Sequence, residues 1–594
     1  MKRSAVREKR RNRLSILLLT GLIVLGLAAG IISAILGGRE TKETSGNVME
    51  ESTEDFVDGT AQIDSMSVIE DKSIYDADDP DSVVHFYVTV RYGSEARGTN
   101  HTFSEVNNVV RFAEGAHADI DVYADALVQV GDENGPLEGM LGFGESESNA
   151  MIRVRGNSSS ASKVKSYKLS LDNNAGTWRG QSNIALNKHV FDPTRFRNKL
   201  YFDTLKEIDE IPSLRTQFVV LHVKDETAGE TEFSNYGLFT QVEVPTKKYL
   251  KNHGLDASGY LYKVISFNWE PNTVIRTIDD TEYDAVAMDR VLSSRGREDN
   301  QKIIDLINIV NDTSVDINYI IDTYFDRKNY ISWLAYNILI GNRDTTMQNY
   351  YLYSPLNGNK WYFIPWDGDG ALWWNQRIYT GTAKDYGEWE CGISNYWGIL
   401  LHQRFLKYAS NREELAERVE ELYSWLNKDY IAKKIKEYNK VVEQYVSQTP
   451  DLLYLGYTLE ERNYIMETLG DDLDNNYAMF KKSLTALMPF WIFYPVQEDG
   501  RVMFQWEDAY DFEANSIEYD LTVSAFPDMR NPIIEETNLD VLTYTVDSSL
   551  FTSGNTYYIE VKAYTKDRSK KVDACNKIEV NDVFYPGVYS FTAN

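Results

Sequence analysis

The chain has 594 residues, 43% of them hydrophobic and 25% charged, with 40 Tyr and 12 Trp. That is too long for one core and too apolar for disorder beyond short segments, so roughly two to four domains are expected. A net charge of −29 argues against DNA or RNA as a partner and favours cationic groups or divalent metal, while two cysteines exclude a disulfide scaffold or a cysteine zinc site.

Residues 1–13, MKRSAVREKRRNR, hold seven Lys/Arg against one Glu, and residues 14–38 carry no charge. A helix of that length rises roughly 35 Å, enough to cross a bilayer. The basic flank predicts a cytoplasmic N-terminus and a single-pass anchor in a bacterial cell membrane, with the body extracytoplasmic. The alternative is a cleaved signal peptide, whose apolar core is normally shorter, about 7–15 residues. Residues 39–65 are acidic and Ser/Thr-rich, a linker.

From residue 82 the pattern turns to strands: VVHFYVTVRY, ADIDVYADALVQVG, AMIRVRG and, after a Ser-rich loop, SYKLSL. RFRNKLYFDTLKEI has helical spacing, with Phe196, Leu200, Tyr201, Leu205 and Ile208 on one face. QFVVLHV and NYGLFTQVEV read as paired strands, and residues 270–300 as a mobile insertion. Two helix patterns fill 301–340, the second stopped at Gly341-Asn342. NYYLYS and KWYFIPWD form a hairpin about the turn Leu356-Asn357-Gly358-Asn359, and 396–485 is almost wholly helical in pattern. The expected architecture is α+β over 66–485, strands first and helices last. Residues 490–594 differ: short strands, Trp506 in an early one and Tyr557 before IEVKAY, resemble a fibronectin type III sandwich.

The chemistry must come from acids. The seven His show no HExxH spacing, no GxSxG is present, and the Walker loop is absent. Phosphoryl transfer needs one carboxylate to orient the acceptor hydroxyl and another to hold Mg²⁺ against the phosphates. In GNRDTTMQNYYLY, Asp344 precedes Asn349 by five residues, the Asp-to-Asn interval of a protein-kinase catalytic loop. The hairpin that follows ends in FIPWDGDGALW, delivering Asp367 and Asp369 beside apolar walls. Taken singly, each of these residues also fits a turn acid, a turn amide or a calcium loop.

Five motifs in this order, RGNSSSASKVKSYKLSL, ALNKHVFDPTRFRNKLYFD, NYGLFTQVEVPTKKYL, GNRDTTMQNYYLY and FIPWDGDGALW, resemble the CotH family of atypical, spore-coat protein kinases over roughly 80–480. The resemblance implies a divergent protein-kinase-like fold that uses ATP and Mg²⁺ (or Mn²⁺) to phosphorylate Ser/Thr of secreted or surface proteins. It implies Asp344 as the catalytic acid, Asn349 and Asp367 as metal ligands, and Asp369 as an auxiliary ligand. Arg155 and Lys165 are the implied phosphate contacts. Lys168 is the fallback, on the opposite strand face from Lys165. Glu243 would pair with the lysine or lie near the adenine. Two rival readings stay open: a surface adhesin or scaffold on the same fold, and a carbohydrate-active enzyme using two carboxylates about 5–10 Å apart.

Overall fold

The computed structural model describes residues 70–111 and 121–594. The expected basic tail 1–13, membrane span 14–38 and acidic linker 39–65 lie outside the described residues. Among the described residues no helix is long and apolar enough to cross a membrane.

Eight strands form the first sheet: β1 (Val83–Arg91), β2 (Ala124–Asp132), β3 (Gly135–Pro136), β4 (Ala150–Arg155), β5 (Ser166–Leu171), β6 (Asn183–Asn187), β7 (Thr216–Asp225) and β8 (Ser234–Val242). Their order is β1-β7-β8-β6-β5-β4-β2-β3, and β1 also pairs with β2, so seven strands close into a ring with β3 as a spur. Alternation then decides what goes inside. Phe86, Val88, Ile152, Val154, Leu169 and Leu221 fill the interior, which leaves the intervening Arg153, Arg155 and Lys168 on the outer face.

The second sheet comprises β9 (Tyr260–Val264), β10 (Leu292–Ser294), β11 (Tyr350–Ser354) and β12 (Tyr362–Pro365), antiparallel in the order β10-β9-β11-β12. Residues 270–300, expected as a mobile insertion, fold back as the helix Ala285–Asp289 and strand β10, with Ile275, Met288 and Leu292 buried. The sheet packs on the helix Arg327–Ile340, capped by Asp326 and closed by Gly341 at φ 67°. Every residue from Asn329 to Ile340 is buried, so this helix is the axis of the lobe and not a surface helix. Ala409–Trp425 and Leu469–Ser483 pack against it, and Lys428–Val446 packs on the latter. The expected α+β order, strands before helices, is the one observed.

One buried ion pair ties barrel to helices. Lys188 meets Asp451 at 2.8 Å and donates to the Tyr236 and Leu238 carbonyls, all in the interior. The other Asp451 oxygen accepts from the Leu238 N–H at 2.8 Å. A Cβ on Gly237, whose φ is 82°, would lie 2.1 Å from that oxygen, which is why the NYGLF motif carries glycine here.

Beyond the helices comes a β-rich module with its own core around Phe504, Trp506, Tyr519, Val561 and Phe591. Its strands are β13 (Val496–Glu498), β14 (Arg501–Gln505), β15 (Ile517–Ser524), β16 (Ile534–Leu539), β17 (Thr543–Asp547), β18 (Thr556–Thr565), β19 (Lys571–Asp573), β20 (Lys577–Val580), β21 (Val583–Pro586) and β22 (Val588–Thr592). One sheet runs β13-β14-β17, and the other β16-β15-β18-β19 with β22 also on β18. Both cysteines, Cys391 and Cys575, are free thiols.

Candidate active site

The hairpin β11–β12 sets the acids. Residue Asn349 enters it and Trp366 leaves it, and the Trp366 N–H donates to the Asn349 carbonyl at 3.1 Å. Asn349 (φ 62°) and Asp367 (φ 56°) both adopt the left-handed backbone that side-chain-bearing residues rarely accept. Sheet register sets Asn349 opposite Trp366, the residue before Asp367. Asp344 sits in the short 3₁₀ turn Arg343–Thr345, just past the axial helix. Its two oxygens accept from Gln348 Nε2 at 2.6 Å and Asn349 Nδ2 at 2.9 Å. The Asn349 amide nitrogen is therefore committed to Asp344, and its carbonyl oxygen is left for a ligand.

Asp369 lies in the turn Gly368–Gly370. A Cβ on Gly368 would stand 2.0 Å from Cγ of Tyr201, so only glycine lets this turn seat on the helix Arg197–Leu205. Tyr201 is in turn held by donating to Asn337 on the axial helix at 2.8 Å. The Asn342 amide donates to the Asp367 carbonyl at 3.3 Å, joining the two acidic turns.

Solvent reaches Asp344 through the cleft mouth, yet its carboxylate is crowded by protein atoms. That crowding first, and then the Asp367 charge, raise its pKa to about 6 against the opposing bonds from Gln348 and Asn349. Asp369 is pushed well above the usual carboxylate range by burial, then by Asp367, Asp344 and Asp192. The buried Asp192 is neutralised locally by Arg197 at 3.0 Å.

Facing the acids are cations from three strands. Arg155 lies 5.7 Å from the Trp366 ring and Lys263 5.3 Å from it. Burial lowers both, partly offset by Asp367, and Lys263 falls to about 8. Lys168 also falls to about 8, by burial and then by Arg153, Arg295 and Arg155. No carboxylate is within ion-pair distance of Arg155, Lys168 or Lys263 among the described residues. Converging cations without partners leave a strong preference for a polyanion.

Of the two expected lysines, Lys168 is the one that shares the outer barrel face with Arg155. Register places Lys168 opposite Arg153 and Ser166 opposite Arg155 on one outward face. Lys165 precedes the strand and donates to the Ser160 carbonyl instead. Glu243, expected beside a lysine or the adenine, is fully buried and bonded to His253 Nε2 at 2.9 Å and the Arg215 N–H at 3.1 Å. It braces the core. Lys263 and Arg295 were missed by sequence reasoning. The only available signal for Lys263 was a single charge in an otherwise apolar strand, YLYKV.

The ligand atoms of Asp367, Asp369 and Asn349 Oδ1 are all oxygen, the chemistry that suits Mg²⁺ or Mn²⁺. Among the described residues no three His, Cys, Asp or Glu gather closely enough to hold a metal alone. Two carboxylates completed by substrate phosphates is the usual Mg²⁺ arrangement, and the like-charge crowding at Asp369 favours a dication.

Residues 152–490 match the family model described as CotH kinase protein, more than half of the chain and inclusive of the whole acid–cation cleft. Inner spore coat protein H of Bacillus subtilis (strain 168) is 23% identical over 361 residues, covering 60% of this chain and 92% of that protein. Among solved structures, the Helicobacter pylori proinflammatory kinase CtkA aligns at 11% identity with 53% of this chain and 95% of its own. Its TM-score is 0.25, too low to bear on the fold.

Proposed function

The chain belongs to the CotH kinase protein family, and from that premise we propose that it transfers the γ-phosphate of ATP to Ser or Thr hydroxyls of a secreted or cell-surface protein. The observation that carries the reading is the cleft itself: unpaired Arg155, Lys168 and Lys263 on one side, Asp344, Asp367 and Asp369 on the other. Such a cleft suits a triphosphate, with cations on its oxygens and acids for a metal and a hydroxyl.

Asp344 accepts a hydrogen bond from the acceptor hydroxyl and orients its oxygen toward the γ-phosphorus. As the new P–O bond forms, the bond to the ADP oxygen breaks and the hydroxyl proton passes to Asp344. Asn349 holds Asp344 in place through its Nδ2, and its Oδ1, with Asp367 and Asp369, would hold Mg²⁺, which would supply neutralising charge to the leaving phosphates. Arg155, Lys168 and Lys263 keep the phosphates in line from the barrel side and from β9.

Residues 14–38 anchor the body outside the cell in this reading, and the C-terminal module is a fibronectin-like spacer or docking unit. Its three- and five-stranded sheets about one core support the fibronectin-like reading, as does Tyr557, whose hydroxyl accepts from the Thr552 N–H at 2.8 Å like a tyrosine corner. The deciding experiment is a thermal shift with MgATP, followed by radiolabel transfer by wild type, Asp344→Ala and Asp367→Ala. Stabilisation by nucleotide, with transfer lost in both variants, is expected. No stabilisation at millimolar MgATP would favour the adhesin or scaffold reading.

A further inference from the structure

The helix Trp374–Thr380 meets the catalytic turn through Trp374, whose ring centroid lies 4.8 Å from the guanidinium of Arg343, and its Arg377 carries a positive charge that acts on Asp344. The guanidinium of Arg377 sits 3.7 Å from the centroid of the Tyr386 ring. The same ring receives Lys577 at 4.4 Å, and Lys577 belongs to β20 of the C-terminal module. Lys577 also lies 4.9 Å from the ring of Phe584 in β21, the other strand of that hairpin. The hairpin packs on the 3₁₀ turn Ala383–Asp385, immediately before Tyr386. Nearby, Trp389 leaves the same loop and packs on the core of the module. One loop, 381–391, is therefore gripped by the module at its turn and at Trp389, and carries a ring shared by a module cation and an active-site cation.

We propose that the C-terminal module is a working part of the transfer site: Lys577 and Tyr386 are positioning residues that hold Arg377 beside Asp344, so the acceptor side of the cleft is assembled from both domains. A spacer would need no contact with this loop. The module's grip instead falls between its own hairpin and the helix that faces the catalytic acid. The inference rests on the kinase reading for its catalytic consequence, but the coupling can be read without any activity.

The test uses the full chain as wild type, Tyr386→Leu, Tyr386→Phe, Lys577→Met and Lys577→Arg. Amide hydrogen exchange is followed by mass spectrometry, and phosphate transfer is measured over a range of ATP concentrations. In Tyr386→Leu and Lys577→Met, exchange at 342–350 and 374–391 is expected to rise several-fold, while β4–β5 and the module core stay protected. Transfer is expected to fall roughly five- to tenfold in kcat, the weight of one part-buried cation–ring contact, with KM for ATP unchanged. Tyr386→Phe and Lys577→Arg keep ring and charge and are expected to match wild type. Unchanged exchange at 342–350 in both disruptive variants overturns the coupling. A wild-type kcat in both, or an equal loss in the conservative variants, overturns the positioning role. A wild type that transfers no phosphate defeats the kinase reading instead, and the exchange data then decide the coupling alone.

Discussion

The buried cluster that claims Glu243 yields a prediction with a magnitude. His253 donates from both ring nitrogens, to Glu70 at 2.5 Å and Glu243 at 2.9 Å, with all three side chains shut off from solvent. Burial alone would discharge the ring, but the bonds from the two carboxylates and their charges outweigh it and raise its pKa to about 9. Against an ordinary value near 6.5, that rise corresponds to about 3 kcal/mol of folding stability. Because the folded-state pKa is the raised one, the contribution is complete below about pH 6.5 and disappears as pH climbs through about 9. Glu70 is depressed, so its own contribution is present at neutral pH and fades in acid. His253→Gln keeps one donor but no charge, leaving the buried Glu243 without a cation while Glu70 retains Lys72 at 2.9 Å. Its melting temperature at pH 6.5 should fall by roughly 2–4 °C, a small shift because a unit of this size unfolds with a large entropy. The gap to wild type, followed by scanning calorimetry from pH 6 to 10, should narrow steadily above pH 7. A gap that stays constant across that range would refute the charged-histidine bridge. The same variants test the assignment of Glu243, because Glu243→Gln should retain its MgATP-induced thermal shift if the acid is structural.

At the cleft, Asp344→Asn should lower phosphate transfer by about 10²–10⁴, the range for removing a positioned base, with a melting temperature close to wild type. Lys263→Met and Lys168→Met should each raise the KM for ATP at least several-fold in steady-state assays. Lys165→Ala should not, since its amine is spent on the Ser160 carbonyl. Gly368→Ala should destabilise the chain and abolish transfer together, because its new methyl overlaps the Tyr201 ring. A folded, active Gly368→Ala protein would show that the acidic turn is free to move off its helix.

Local chemistry made much of this legible. Gly341 stops the axial helix in left-handed geometry as its sequence predicts, and the 350–365 hairpin follows from its strand–turn–strand pattern. The Asp344–Asn349 interval became a direct hydrogen bond. What failed to show was long-range. Closing the barrel requires β1 to pair in parallel with β7, more than a hundred residues later, and no local pattern announces such a partner. The choice between Lys165 and Lys168 depended on where β5 begins, because one face of that strand is the cleft and the loop before it is not. Glu243 was misjudged for a related reason. Its partner His253 is close in sequence, but Glu70, which makes the histidine a bridge, lies far away in the chain.

The strain at Asn349 and Asp367 explains why the site is built on a hairpin and not on a loop. Each residue would leave its left-handed conformation if free to do so, at a gain of order 1–3 kcal/mol. The pairing Tyr350↔Pro365 and the Trp366 N–H bond to the Asn349 carbonyl forbid that, since both residues sit at the open end of a ladder buried on every strand. A slip of one residue in that ladder would turn Tyr351 and Trp366 away from Arg155 and Lys263 and carry Asp367 with them. The acids therefore cannot reach their positions unless the sheet has its native register, and folding of the core and assembly of the acid side are one event. Asp344, unlike Asp367 and Asp369, does not follow from the end of that hairpin: it is held by two side-chain amide bonds. It is the acid whose geometry neighbouring elements can tune.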